Sequence, residues 1–464
     1  MTELPPELST SYAPLIILLI GTLCVVLFIV VLRLPAFISL ILAAIIVGIL
    51  TPYTGELGHP WVMAVETTMK EFGITAGKVS FVIAIAAILG VAMTESGAAE
   101  KIVDELIRCF GEVRAGLALL VSGFILSIPV FFDTVFFLLI PLAIVLAQKT
   151  GKHFLLFVMA VACGAIITHS LIPPTPGPLL MAEAMDLNLG FVIVIGLISG
   201  ILPAIAGYKY SQIQDQKISI VPPNMSDHPS AKGPKKLPSF TLSLLPIILP
   251  LLLIIAASIT TASHQEATDV ISLSILFLGN KNVAMFIGLL IAMQLWARTQ
   301  NLSLNELGTK MERPLEVAGL IILITSAGGS FGAMISNTGM GDMIRGMSAH
   351  GFSLNLVVIA WLMAAVMKFA QGSSTVSIIT TAGIMSAMIG TGVDLPYHPI
   401  YIFLAIGYGS MVGSWMNDSG FWIVGKLSGM TERQTLRSWT LLLVVIGIVG
   451  GIQAIVMSSI VPLN

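Results

Sequence analysis

The sequence predicts an all-α polytopic membrane protein made of two inverted-topology repeats, each with a re-entrant helical hairpin and a broken helix. Three observations carry that prediction. The mean hydropathy is +0.98 and only 10% of the 464 residues are charged, against about 25% in soluble domains. Several long apolar runs are interrupted by Pro, Gly and small polar residues. The interruptions also recur at matched spacing in the two halves: Thr134 follows Gly97 by 37 positions and Thr375 follows Gly339 by 36. Unbroken Leu/Ile/Val runs argue for helices, because barrel strands alternate apolar and polar residues. Cys24, Cys109 and Cys163 fall in or beside apolar segments without metal-like spacing, so neither a disulfide framework nor a zinc site is expected.

Taken in order, the first half opens on MTELPPELST, which has acids and no bases and is therefore not a signal peptide. Spans are expected at Tyr12–Val31, Leu34–Leu50 and Val79–Met93, the last preceded by a polar, partly amphipathic stretch from Thr51 to Lys78. Between Gly97 and Phe110, Ile102, Val103, Leu106, Ile107 and Phe110 recur at helical spacing, with Glu100, Lys101, Asp104, Glu105 and Arg108 on the other face. That helix should lie in the membrane interface. Ala115 to Ala147 is an apolar run of about 33 residues, too short for two crossings at roughly 20 residues each. Basic residues flank it at both ends, Arg108 and Arg114 before, Lys149 and Lys152 after. The chain should enter, turn near Pro129–Asp133 and leave on the same side. Phe154–Thr168 then runs into His169-Ser-Leu-Ile-Pro-Pro-Thr-Pro-Gly-Pro178, which cannot continue a helix. Leu187–Gly207 closes the first repeat, 1–207.

Residues 208–238 form a basic linker, with Lys209, Lys217, Lys232, Lys235 and Lys236 against Asp215 and Asp227. The positive-inside rule makes it cytoplasmic. Counting crossings back from it puts Arg33, Arg108 and Arg114 inside and the acidic N-terminus outside. The second repeat, 239–464, is expected to span at Phe240–Ile259, Val283–Trp296 and Pro314–Ser330, with an extra apolar segment at Asp269–Leu278. Ser336-Asn-Thr-Gly-Met-Gly-Asp-Met-Ile344 parallels the residues from Glu95 to Ile102. A second hairpin, Phe352–Ile389, breaks at Lys368-Phe-Ala-Gln-Gly-Ser-Ser-Thr-Val376. Pro399–Val412, the break Gly413–Gly420 and a span at Trp439–Ser458 complete it. Gly97 counts as inside and Gly339 as outside, so the repeats are inverted.

Ionisable and small polar residues at membrane breaks mark candidate sites, because irregular backbone is tolerated there only against protein or a wet cavity. Asp133 reads either as a structural acid or as a group that loads and releases a proton. His169 reads either as a packed core residue or as a proton relay and donor to a carboxylate. Gln371, Gly372, Ser373, Ser374 and Thr375 offer small donors and free N–H groups suited to an anion or polyol, or simply close helix packing. Lys368 either neutralises a carboxylate or snorkels to the surface. Ser414, Asn417, Asp418 and Ser419 supply donors and acceptors at the last break, Asp418 being a second titratable candidate. The polar residues around Glu95 and Ser336 read mostly as helix caps. No nucleotide-binding loop, zinc-protease motif or nucleophile–base pair is evident, so no enzyme is expected.

Four motifs in order, Ser127-Ile-Pro-Val-Phe-Phe-Asp-Thr-Val-Phe136, His169 to Pro178, Gln371-Gly-Ser-Ser-Thr-Val376 and Gly407-Tyr-Gly-Ser with Asn417-Asp-Ser-Gly420, together resemble the gluconate permease family of bacterial inner-membrane proteins. The resemblance runs from the first span to the last. It implies membership of the ion-transporter superfamily, with an elevator-type scaffold and transport domain and a homodimer in the lipid bilayer. It places the substrate between the tips Pro129–Thr134 and Gln371–Thr375 and the broken helices Thr168–Gly177 and Ser414–Gly420. Phe132, Thr134, Ser170 and Thr175 thereby join the substrate-binding candidates, with Asp133, His169 and Asp418 as proton-coupling residues. The arms linking the domains would be Gly97–Phe110 and the helix after Gly339. The implied activity is import of gluconate or a related sugar acid with protons, the proton being the coupling ion and no cofactor being needed. Transport of another hydroxy acid or D-serine, or an anion channel, are the alternatives.

Overall fold

Long apolar segments satisfy their backbone internally as helices, and the computed structural model follows that rule throughout. It describes residues 12–51, 59–151, 153–223, 237–263, 269–340, 342–343, 355–389 and 395–463. Among them nine helices are long and apolar enough to cross a membrane. The acidic N-terminus, the lysines at 232, 235 and 236 and most of the second interfacial arm lie outside the described residues.

The first half comprises α1 (Ala13–Val31), α2 (Ala36–Leu50), α3 (Pro60–Glu95), the interfacial α4 (Ala98–Phe110), the hairpin α5 (Ala115–Leu126) and α6 (Phe132–Thr150), α7 (Phe154–Leu171), α8 (Pro176–Ala184), α9 (Leu189–Ser199) and α10 (Ile201–Lys217). The second comprises α11 (Phe240–Ser263), α12 (Val270–Leu278), α13 (Lys281–Gln300), α14 (Leu304–Ser336), the hairpin α15 (Leu356–Gln371) and α16 (Ser374–Ile389), α17 (Ile400–Gly409), α18 (Ser419–Leu427) and α19 (Glu432–Ile460).

Several boundaries differ from the sequence reading. Pro314–Ser330 is part of the 33-residue α14, Leu187–Gly207 is split between α9 and α10, and the last span starts at Glu432 rather than Trp439. Three further differences bear on packing. The third span is not confined to Val79–Met93 but is the end of a 36-residue helix. The polar residues before it do not break it, because Glu66, Lys70 and Lys78 point outward while Ala64 and Thr68, one turn apart, are buried. The Thr68 carbonyl accepts the Ser330 hydroxyl of α14 at 2.7 Å. His169 and Ser170 belong to the last turn of α7, and the first break is confined to residues 172–175. Helix α10 continues to Lys217, so the basic linker begins inside a helix.

The packing has two groups. Helices α2 and α3 lie along α14, and α13 bridges α3 and α11. Separately, α5 lies against α7, α15 against α17, and α17 and α10 against α19. Between the groups, α16 rests on α14 and α8 on α16. The arm α4 touches α3, α5 and α11. It buries Ala98, Ala99, Ile102 and Val103 and keeps its charges outside, where Lys101 meets Glu105 at 2.5 Å. That ammonium holds the Glu105 carboxyl below its ordinary value.

Every residue of α7 except His169 is buried, so this helix is the centre of its group. It meets α5 through glycines on both sides. A Cβ on Gly123 would sit 2.6 Å from the Val161 carbonyl oxygen, and one on Gly164 would overlap that of Leu120. Small residues permit such backbone approach between membrane helices. Gly164→Val should therefore push the α5 arm off α7 and cost about 3 kcal/mol, the upper end of ordinary overpacking. Gly73→Ala, with nothing within 4 Å of its new methyl, should hold or raise stability. Thermal melting in detergent compares the two.

Candidate functional site

Four chain breaks bring four helix N-termini to one place. At the first hairpin tip the Ser127 hydroxyl donates to the Val130 carbonyl at 3.3 Å, closing the turn before α6 starts at Phe132. At the second tip Gly372 takes φ +78°, and α16 starts at Ser374 with the Ser373 hydroxyl accepting from Val376 N–H at 3.3 Å. At the first broken helix the Thr175 hydroxyl bonds the carbonyls of Ile172 (2.7 Å) and His169 (2.9 Å), repairing the end of α7 before α8 starts at Pro176. At the second, Asp418 caps α18 by accepting Gly420 N–H at 2.9 Å.

The first turns of all four helices line a single cavity of about 420 Å³. That volume suits a small organic molecule, whose pockets run from roughly 300 to 1,000 Å³. The N-termini of α6, α16 and α18 bring backbone N–H groups to the cavity. All four helices, including α8 with its Pro176 and Pro178, bring the positive end of a helix dipole, so the cavity favours an anion. The opposite wall is apolar: Val317, Leu320, Ile321 and Ile324 of α14 share one helical face.

Of the residues singled out in the sequence, Phe132, Asp133, Thr134, His169, Lys368, Ser373, Ser374, Thr375, Asp418 and Ser419 line this cavity. The other six site candidates are not among its lining residues. Gly372, Ser414 and Asn417 hold the second tip to the second break: the Asn417 amide donates to the carbonyls of Phe369 (2.8 Å) and Ala370 (3.3 Å), capping the end of α15. Thr175 makes the helix repair described above. Ser170 Oγ and both polar atoms of the Gln371 amide are buried with no hydrogen-bond partner among the described residues.

The charged groups are unequally partnered. Lys368, on the last turn of α15, is 1% exposed and donates to Asp418 Oδ2 at 2.6 Å and to the Gly372 carbonyl at 2.9 Å. The Ser414 hydroxyl also donates to Asp418 Oδ2, and itself accepts Trp439 Nε1–H at 2.9 Å. Asp133 opens onto the cavity and has no hydrogen bond or ion pair among the described residues. His169 is half-buried, edge-on to Phe131, and its Nδ1 has no partner among the described residues.

Sequence reasoning missed Trp439, which closes the cavity and stacks on Phe132 at 5.4 Å. Nothing local marks a Trp at the start of an apolar span as a cavity residue. It also missed the α14 wall, whose apolar spacing is visible in the sequence but whose neighbour is not.

Comparison with known proteins agrees with this architecture. The description "GntP family permease" matches residues 13–461. The L-idonate transporter of the Gnt-II system of Escherichia coli is 29% identical, over 95% of this chain and 99% of that protein. A gluconate permease of Pseudomonas aeruginosa is 30% identical, over 91% and 92%. Among solved structures the fold resembles the YdaH transporter of Alcanivorax borkumensis, with TM-score 0.65 and 16% identity over 96% of this chain and all of that one. It also resembles MtrF of Neisseria gonorrhoeae, with TM-score 0.61 and 16% identity over 92% and 94%. A match spanning nearly the whole chain settles the assignment: this multi-pass membrane protein belongs to the GntP family of permeases.

Proposed function

We propose that the protein imports gluconate or a closely related sugar acid together with protons, and that the group carrying the two tips moves as a unit past α14 between the sides of the membrane. The observation that carries this reading is the meeting of four helix N-termini and a carboxylate, Asp133, without a partner among the described residues, on one cavity. The relatives named for gluconate and L-idonate supply the substrate class.

Simple charge addition gives a reason for coupling. With Asp133 and Asp418 ionised and Lys368 protonated, the three side chains sum to one negative charge, which opposes a monoanion in a low-dielectric site. A proton on Asp133 removes that charge, so proton and sugar acid favour each other's binding. The sugar hydroxyls would find Thr134, Ser373, Thr375 and Ser419 as partners. Val317, Leu320, Ile321 and Ile324 of α14 offer the moving group an apolar surface. Halves 1–207 and 239–464, joined by the linker 208–238, would act as the inverted repeats that exchange the two access states.

The test is uptake of radiolabelled gluconate into proteoliposomes with the interior alkaline. We expect uptake that a protonophore abolishes and that one acid in a panel of sugar acids competes best. Uptake that follows a sodium gradient instead would overturn proton coupling. No uptake of any hydroxy acid would overturn the substrate class.

A further inference from the structure

We propose that Lys368 is the anchor for the carboxylate of the transported acid, and that Asp418 is the residue that holds it in position. This rests on the sugar-acid reading above and assigns its specificity to particular atoms. An ammonium has three donors and no acceptor. Two of the three are committed, to Asp418 Oδ2 and to the Gly372 carbonyl. The third has no partner among the described residues, although the side chain is almost wholly buried and lines the cavity. Leaving a buried charged donor unused is costly, and an incoming carboxylate would satisfy it with a charge-assisted bond.

Asp418 is occupied in a complementary way. Its Oδ2 accepts Lys368 and Ser414, and its Oδ1 accepts Gly420 N–H. Trp439 fixes Ser414 in turn. The chain from Trp439 through Ser414 and Asp418 to Lys368 therefore ties α19, the second break and the second tip into one support. Such a support fixes the direction of the remaining ammonium proton, as a preorganised site requires. Asp133 stands in the first tip, in the same cavity and close enough to interact electrostatically with both Lys368 and Asp418.

One cationic anchor with one free carboxylate beside it selects a monoacid with neutral hydroxyls along the rest of the molecule. A neutral polyol or amide leaves the ammonium unsatisfied. A diacid brings a second negative charge that the single ammonium and the single proton on Asp133 leave uncompensated.

The experiment is ligand-induced thermal stabilisation of the purified full-length protein in detergent, titrated with gluconate, gluconamide and glucarate. The natural protein should need about 10- to 100-fold less gluconate than gluconamide or glucarate for the same stabilisation, the range of a charge-assisted hydrogen bond. Lys368→Gln should bring gluconate and gluconamide to within about threefold of each other, since what remains is shared hydroxyl recognition. Lys368→Arg should keep a preference for the acid. A purely structural Lys368 would lower melting temperature in both variants without altering the acid-to-amide ratio, and an unchanged ratio in Lys368→Gln overturns the proposal while leaving the sugar-acid reading intact. Should Lys368→Gln fail to fold, equal stabilisation of the natural protein by acid and amide, or loss of preference in Lys368→Arg, overturns it. Absence of stabilisation and uptake by any sugar acid would overturn the functional reading and this assignment with it.

Discussion

Replacing Asp133 by Asn should abolish accumulation driven by a pH gradient while leaving gluconate exchange in place. One pH unit across the membrane is worth about 1.4 kcal/mol per proton, so a one-proton electroneutral symporter reaches about tenfold accumulation. The introduced amide resembles the protonated acid in shape and neutrality, and it stands where Asp133 opens onto the cavity without a partner among the described residues. Substrate can therefore still bind and cross, but no proton is carried, and the variant should equilibrate gluconate to a ratio near one. The pH dependence of exchange should flatten at the same time. His169 is the competing proton carrier, and the two are separable. If Asp133→Asn still accumulates tenfold while His169→Gln does not, the coupling role passes to the histidine.

A second large effect is expected at Gly372. Its φ of +78° lies in the left-handed region, which costs a residue bearing a Cβ roughly 1–2 kcal/mol. A methyl there would also overlap the backbone carbonyl of Asn417, and overpacking adds about 1–3 kcal/mol. The same residue lends its carbonyl to Lys368. Gly372→Ala should therefore disengage the second tip from the second break and lower exchange at least about tenfold, by the loss of roughly 1.4 kcal/mol or more of ordered geometry. Gly151→Ala is the matched control. Its φ is +67°, but nothing lies within 4 Å of the added methyl, so strain alone remains and exchange should change little. Uptake and melting temperature measured on both variants separate contact from strain.

The hairpins were legible because their cause is local. Ser127 to Asp133 and Lys368 to Thr375 interrupt runs too short to cross twice, and prolines at 173, 174 and 176 leave no helical alternative. The observed breaks fall at or within one turn of those places. The length of α3 was not legible, because hydropathy averaged over Thr51–Lys78 reports polarity, whereas Ala64 and Thr68 pack on α14 through a single buried face. The site's polar half could be read from residue type and breakage alone. Its wiring could not: Lys368 and Asp418 stand 50 positions apart, and Ser414 and Trp439 stand 25 apart. Those pairings arise from helix packing, as does the closure of the cavity by Trp439 and the α14 face.

The central claim is that an acid and a proton travel together, and the most direct measurement is proton movement driven by substrate alone. Purified protein in proteoliposomes with a pH-sensitive dye inside, no initial pH gradient and no sodium, would receive gluconate outside. The account predicts that the lumen acidifies on addition of gluconate and does not respond to glucose, and that Asp133→Asn vesicles stay at constant pH while labelled gluconate still exchanges. Labelled gluconate entering the natural protein's vesicles without acidification would contradict it.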